Sequence, residues 1–379
     1  MGKLGSILFA ISGLAVLGPA RAGHETPIYP SYYPQEIQIQ PFDPAAAGRA
    51  LGEGRIQAYV GTRPAFPGGP GEAIRYVESL GSYLVVDLNP ESPRVRAGKS
   101  ACPVAEAVIG SLAEGEGDFR FHPYPVNAFH ADYLHHFDLA GRAKNRFLGK
   151  PEATPPGLAV RAAGALAEKM VRRRWPGTTA NWDAKVEEIS LGRLLAGRRF
   201  NVNGRLGPPW LKEGWYHAYL LLAGALTDQA AKDRVEAHVR RLQRGDYDSP
   251  EEVYNLEREL VTLLTGACRR VVAGYRVRRE YYSADYAGGV ENIAIDSHTG
   301  FNSAIFIRTV KLKDFPWNGW LTLGMGGKPA AAWNPIGGFT DDAGRLIWSA
   351  LGDPALFPEP YNAGWTLNRI GDVKATAGE

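Results

Sequence analysis

The chain has 379 residues, of which 43 are basic, 40 are acidic and 2 are cysteine. That length excludes a single small-core module, and near-balanced charge excludes the strongly basic balance of a nucleic-acid binder. Two cysteines exclude a disulfide-dense scaffold and allow one intramolecular bridge.

Residues 1–22 have the pattern of a secretory signal peptide. Lys3 is the basic start, Leu4 to Leu17 the apolar run, and Ala20-Arg21-Ala22 the small-x-small cleavage site. The run is broken by Gly13 and Gly18-Pro19 and falls short of the roughly 20 apolar residues that span a bilayer. Cleavage after Ala22 removes Lys3 and Arg21 but no acid, moving the formal charge from +3 to +1. The expected location is periplasmic or extracellular, with no membrane span in the mature chain. Nucleic acid is not an expected partner; the basic runs, such as Arg172-Arg173-Arg174, sit beside helical apolar spacing as solvated helix faces.

Residues 23–35 hold three prolines and three tyrosines without period and read as an extended arm. From residue 36 to 150 short strands alternate with helices, the pattern of an α/β domain. Ile37 and Ile39 alternate in a strand. Asp43-Pro44 caps a helix through Leu51, and Arg55 to Val60 is the next strand. The spacing then predicts a helix over 72–80, a strand from Tyr83 to Leu88, a helix from Pro103 to about Leu112, and a strand from Phe119 to Phe121.

Leu51 to Gly61 (LGEGRIQAYVG) is similar to elements of periplasmic solute-binding proteins. The helical middle and β-rich end that follow depart from the two alternating lobes of that family, so no residue role is carried over from it.

After Pro151 to Gly157 the chain turns helical, and 151–287 reads as a helical region. Val160, Ala163, Leu166, Ala167 and Met170 share one face, and Trp215 to Leu226 is apolar nearly all round, as in a buried central helix. Another helix covers about 228–244. Ser249-Pro250-Glu251-Glu252 then opens a long helix expected to reach about Arg279. Residues 288–372 read as a β-rich, loop-heavy region, with strands at Ser303 to Leu312 and Trp320 to Met325, and 373–379 as a disordered tail. The fold class expected is thus mixed α/β or α+β: an α/β layer, a helical middle and a β-rich end.

Four of eight histidines fall between residues 122 and 136, in FHPYPVNAFHADYLHHFD, where Asp132 and Asp138 interleave with them. Nitrogen and carboxylate donors so mixed suit a zinc, copper or iron ion. On a helix starting at Asp132, Asp132 and His136 share a face four residues apart. The expected metal ligands are His122, His130, Asp132 and His136, supported by Asp87 and Arg63 from neighbouring strand ends and by His135 on the same helix. None of the specific metal-site spacings is present, and the apolar stripe Tyr133, Leu134, Phe137, Ala140 also allows structural histidines. His217, with Glu213 one turn before it, is expected as a satisfied core histidine.

Cys102 and Cys268 are the expected disulfide; a reactive thiol at the start of the Pro103 helix and two unpaired cysteines are the alternatives. Trp317, Trp320, Trp333, Trp348 and Trp365 crowd the C-terminal region and are expected in its core. Exposed instead, Trp317, Trp320 and Trp333 would form a platform for flat ligands such as glycans. Together these features describe an exported protein that binds a transition metal or cofactor in a redox or metal-handling pathway. Its alternatives are a metal-assisted hydrolase or oxidoreductase, and a solute- or glycan-binding protein built on the tryptophan-rich region. The partner expected is a small molecule or a metal ion.

Overall fold

The computed structural model describes residues 34–96, 101–115, 117–148, 157–175, 181–196, 208–314, 319–330, 341–352, 355–362, 364–368 and 370–372. The expected signal peptide, the arm up to residue 33, Trp317, Trp333 and the tail from 373 lie outside them.

In chain order the first elements are strand β1 (Glu36–Pro41), helix α1 (Pro44–Gly52), β2 (Ala58–Val60) and β3 (Ile74–Leu88). Next come α2 (Pro93–Arg96), α3 (Cys102–Ser111), β4 (Phe119–Phe121), α4 (Tyr133–Leu148), β5 (Val160–Ala163), α5 (Ala165–Arg174), β6 (Ala184–Ser190) and α6 (Leu191–Leu194). A 3-10 turn (Pro209–Lys212) leads into α7 (Gly214–Leu222), α8 (Gln229–Arg244) and α9 (Pro250–Thr265). The chain continues with β7 (Arg270–Ser283), β8 (Val290–Glu291), α10 (Ala304–Thr309), β9 (Lys311–Leu312), β10 (Trp320–Met325), α11 (Asp342–Leu351), β11 (Leu356–Pro358) and β12 (Trp365–Leu367).

The protein is a mixed α/β fold around an eight-stranded sheet ordered β1-β10-β2-β7-β3-β6-β5, with β4 also on β7. Its edges pair parallel (β1 with β10, β10 with β2, β5 with β6), whereas the centre, β2-β7-β3-β6, is antiparallel. Alternation along β3 divides the core. Tyr83 and Val85 face α7, α8 and α9, while Leu84 and Val86 face α3 and α5.

Several elements follow local signals. Asp43 Oδ1 accepts from Ala46 N–H at 2.8 Å to start α1, and Ser249 Oγ from Glu252 N–H at 3.2 Å to start α9. Gly245, at φ 69°, ends α8 in the left-handed region. Helix α7 buries all but Tyr219 and Leu220, as its all-round apolarity implies.

Other segments differ from their sequence patterns. Residues 74–80 are the first half of β3 rather than a helix, because Ile74, Tyr76 and Val77 pair with β7 along its length. Residues 160–163 form a strand, and Gly164 at φ 98° turns the chain into α5. Helix α9 stops at Thr265, and the Val- and Tyr-rich stretch beyond it is the central strand β7. Ser303 to Thr309 is a capped helix: Ser303 Oγ accepts from Phe306 N–H, and burial of Ile305, Phe306, Ile307 and Thr309 leaves no periodic signal.

Cys102 at the start of α3 and Cys268 between α9 and β7 form a disulfide, with Cα atoms 4.9 Å apart. Among the described residues no helix is long and apolar enough to cross a membrane.

Candidate functional site

Three polar constructions stand close to the sheet: two buried clusters beneath α7 and an open cleft beside it.

The first cluster joins Tyr83, His130 and His217, all buried. Asn127 N–H donates to His130 Nδ1 at 2.9 Å, so the neutral ring carries its proton on Nε2. His217 Nε2–H donates to the Leu211 carbonyl at 2.9 Å, leaving a lone pair on Nδ1. Tyr83 Oη lies between them, 2.8 Å from His130 Nε2 and 2.6 Å from His217 Nδ1. The protons therefore run one way: His130 donates to Tyr83, and Tyr83 donates to His217. Burial and the neighbouring His217 and His298 hold His130 well below the usual imidazole range, and burial takes His217 down to about 4. His298 completes a trio whose nitrogens lie within 4.8 Å of one another. A metal on His130 Nε2 would need the proton that Nε2 carries to move to Nδ1, where the Asn127 N–H already points. The donor set fits a closed hydrogen-bond chain, not a metal.

The second cluster lies on the other side of the Asp132 turn. Asp132 Oδ1 and Oδ2 accept from the Gly214 and Trp215 N–H groups at 2.7 and 2.9 Å, capping α7 from outside. This approach requires glycine at 214, since a Cβ there would stand 2.4 Å from Val126 Cγ1 and 2.9 Å from His130 Nδ1. His136, one turn along α4, places Nε2 3.7 Å from Asp132 Oδ2, while its Nδ1 meets Tyr124 Oη at 2.9 Å. Glu257 of α9 closes the group; one donor atom from each of Asp132, His136 and Glu257 lies within 4.8 Å of the others. Burial raises Asp132 to about 6 despite its two N–H partners. Burial and Asp132's charge raise Glu213 to about 8, and burial, Asp132 and Glu213 raise Glu257 to about 9.

Of the four expected ligands, the structure thus brings Asp132 and His136 together and separates the other two. His122 Nε2–H donates to the Val126 carbonyl at 2.7 Å, and His130 belongs to the tyrosine-linked chain. Of the expected supporting groups only His135 is near, 3.6 Å from Glu257 Oε2. Asp87 pairs with Arg270 at 3.3 Å and Arg63 with Asp118 at 2.9 Å. Strand ends fail to converge as expected because the sheet centre is antiparallel. Glu213 does not pair with the His217 ring but faces the carboxyl cluster. Glu257 was legible in principle, since it occupies the buried stripe of Leu260, Val261 and Leu264 on α9.

The third construction is a cleft of about 610 Å³ lined by Leu191, Leu195, Leu211 and Lys212 and by residues that include Asp296, His298, Arg345 and Trp365. Arg278 of β7 lies at its base. Its Nε and Nη2 donate to Ser79 Oγ at 3.1 and 3.0 Å, and Nη2 also to the His298 carbonyl at 3.0 Å. Lys212 pairs with Asp296 at 2.6 Å; this charge and the His298 and Thr299 N–H groups outweigh burial and lower the Asp296 pKa. Arg345 pairs with Asp342. The loop after Asp296 is pinned from below by buried Glu280, which accepts from Phe301 N–H at 2.9 Å. Gly300, at φ 63°, makes room for it, since a Cβ there would lie 1.7 Å from Glu280 Oε2.

Of the five tryptophans expected in the core, the three described are not buried. Trp320 is 67% exposed, because alternation along β10 sends Leu321 and Leu323 inward and Trp320 outward. Trp348 is half-buried, and Trp365, 38% exposed, lines the cleft wall.

No protein-family model matches the chain, and no curated protein matches it in sequence. Solved structures do. The periplasmic binding protein DppA of Helicobacter pylori, in complex with the peptide STSA, is 12% identical, with a TM-score of 0.39 over 72% of this chain and 55% of its own. A nickel ABC transporter structure from Bacillus halodurans is 13% identical, with a TM-score of 0.38 over 66% of this chain and 57% of its own. NikZ of Campylobacter jejuni, in complex with Ni(L-His), is 13% identical, with a TM-score of 0.35 over 68% and 58%. The chain spans little more than half the length of each.

Proposed function

We propose that this is an exported solute-binding protein whose 610 Å³ cleft takes a small carboxylate-bearing molecule, with Arg278 as the anchor. The volume lies within the range of small-molecule sites, about 300–1,000 Å³. The observation that carries the reading is Arg278 itself. Lys212 and Arg345 are each matched by an acid in the cleft, but the nearest carboxylate to Arg278 is Glu280 Oε2 at 3.9 Å, already engaged by backbone N–H groups. Ser79 and the His298 carbonyl take the Arg278 Nε and Nη2 donors and hold the guanidinium in place, which leaves Nη1 to make a charge-assisted hydrogen bond to a carboxylate. Trp365 and Leu211 offer apolar surface to the remainder of the solute. The signal-peptide pattern of residues 1–22 supports export, and the Cys102–Cys268 bridge suits an oxidising compartment.

A thermal-shift screen of free amino acids, dipeptides, tripeptides and neutral oligosaccharides tests the reading. Stabilisation by carboxylate-bearing members is expected. Stabilisation by the neutral sugars alone would contradict it and favour glycan stacking on Trp365.

A further inference from the structure

The Asp132–His136–Glu257 cluster has a use that the cleft does not give it. Two of its atoms, His136 Nε2 and Glu257 Oε2, are buried and make no hydrogen bond among the described residues. The His136 side chain is 0% exposed and that of Glu257 6%. A buried polar atom left without a partner costs about 1–3 kcal/mol, and here two stand together. His136 Nε2 lies 3.7 Å from Asp132 Oδ2, and one carboxylate oxygen of Glu257 lies within 4.8 Å of a donor atom of each; the Asp132 carboxylate keeps lone pairs beyond the two that accept from α7. Glu213, partly buried, adds a third carboxyl whose charge is felt by Glu257. The nearby cation, Arg258, is taken up by Asp138 at 2.6 and 2.9 Å. The cluster is therefore short of positive charge.

We infer that Asp132, His136 and Glu257 form a buried binding site for one divalent transition-metal cation, which ties α4, α7 and α9 together. One nitrogen and carboxylate oxygens are a borderline-to-hard donor set suited to Zn²⁺ or Mn²⁺. Tetrahedral zinc with bonds of about 2.0–2.1 Å sets donors roughly 3.3 Å apart. The Asp132–His136 separation of 3.7 Å is already close to that. With His136 Nδ1–H donating to Tyr124 Oη, the ring presents its Nε2 lone pair to the ion, the orienting arrangement typical of metal-bound histidine. The cation would neutralise carboxylates that otherwise must share protons, so its role is structural.

The test uses the full mature chain, stripped with a chelator and titrated with Zn²⁺. One equivalent per chain is expected, with a raised unfolding midpoint. Glu257→Gln, checked for folding by circular dichroism, is expected to weaken zinc binding by about 100-fold or more, beyond the loss typical of outer-shell partners. X-ray absorption on the wild-type zinc form needs no variant and should find one imidazole with oxygen ligands. No retained zinc, unchanged binding in Glu257→Gln, or a shell of two or three imidazoles would each overturn the site, the last moving the ion to His130, His217 and His298. Cleft ligands play no part in these readouts, so failure here leaves the solute-binding proposal standing.

Discussion

The cleft and the buried polar core both concentrate charge, but they handle it differently. In the cleft, Lys212 and Asp296, and Arg345 and Asp342, cancel one another near solvent, and Arg278 is held in position with its charge only partly offset. In the core, Asp132, Glu213 and Glu257 gather with two histidines, and the described residues place no lysine or arginine in an ion pair with any of the three acids. Beside that group the Tyr83–His130–His217 chain satisfies its own donors and acceptors. Histidine and aspartate density in a sequence therefore marks burial as readily as function; what separates the two is where lone pairs point.

Gly214 is where the two buried clusters meet, so it offers the largest way to break the comparison. Gly214→Ala drives a methyl group into Val126 and His130 and pulls the α7 N–H groups away from Asp132. A loss of about 3 kcal/mol or more is expected in urea unfolding, from overpacking together with broken charge-assisted hydrogen bonds. A loss under about 1 kcal/mol would mean the two clusters are not joined there.

Acid sharpens it next. His217 titrates near 6.5 when unfolded and about 4 in the fold, where burial favours its neutral form. Its contribution is complete above pH 6.5 and drains as pH falls toward 4, by on the order of 3 kcal/mol. The raised carboxyls lean the opposite way, so the readout is a difference. The wild type should lose more stability than His217→Gln between pH 7 and pH 4.5, and parallel losses would contradict the neutral chain.

Tyr83→Phe should have the smallest effect, about 1 kcal/mol. It removes the bridging hydroxyl, but His130 Nε2–H still reaches His217 Nδ1 at 3.0 Å. Zinc binding at Glu257 should be unchanged in this variant, and a change would mean that the two clusters act as one.

Much of the fold was legible where its cause is local. Capping residues at Asp43 and Ser249, the apolar circumference of α7 and the single available cysteine pairing all carry their information in a few neighbouring residues. The central strands were harder. Ile74, Val77 and Leu80 fit helical spacing as well as a strand, and only the β7 partner, some two hundred residues away, decides between them. The same distance rule governs the sites. Asp132 and His136 share one helix and could be paired from sequence, whereas Glu257 joins them through packing. Arg278, Lys212, Asp296 and Trp365 form a cleft that no window of sequence contains.

The most direct test of the solute-binding account is calorimetric titration of the wild type and Arg278→Ala with the carboxylate-bearing member of the amino-acid and peptide panel that stabilises the protein most. The account predicts one-site binding that weakens by about 10- to 100-fold in the variant, the worth of a charge-assisted pair, while circular dichroism still shows a folded protein. Equal affinity in the two proteins, or no binding by any panel member, would contradict it.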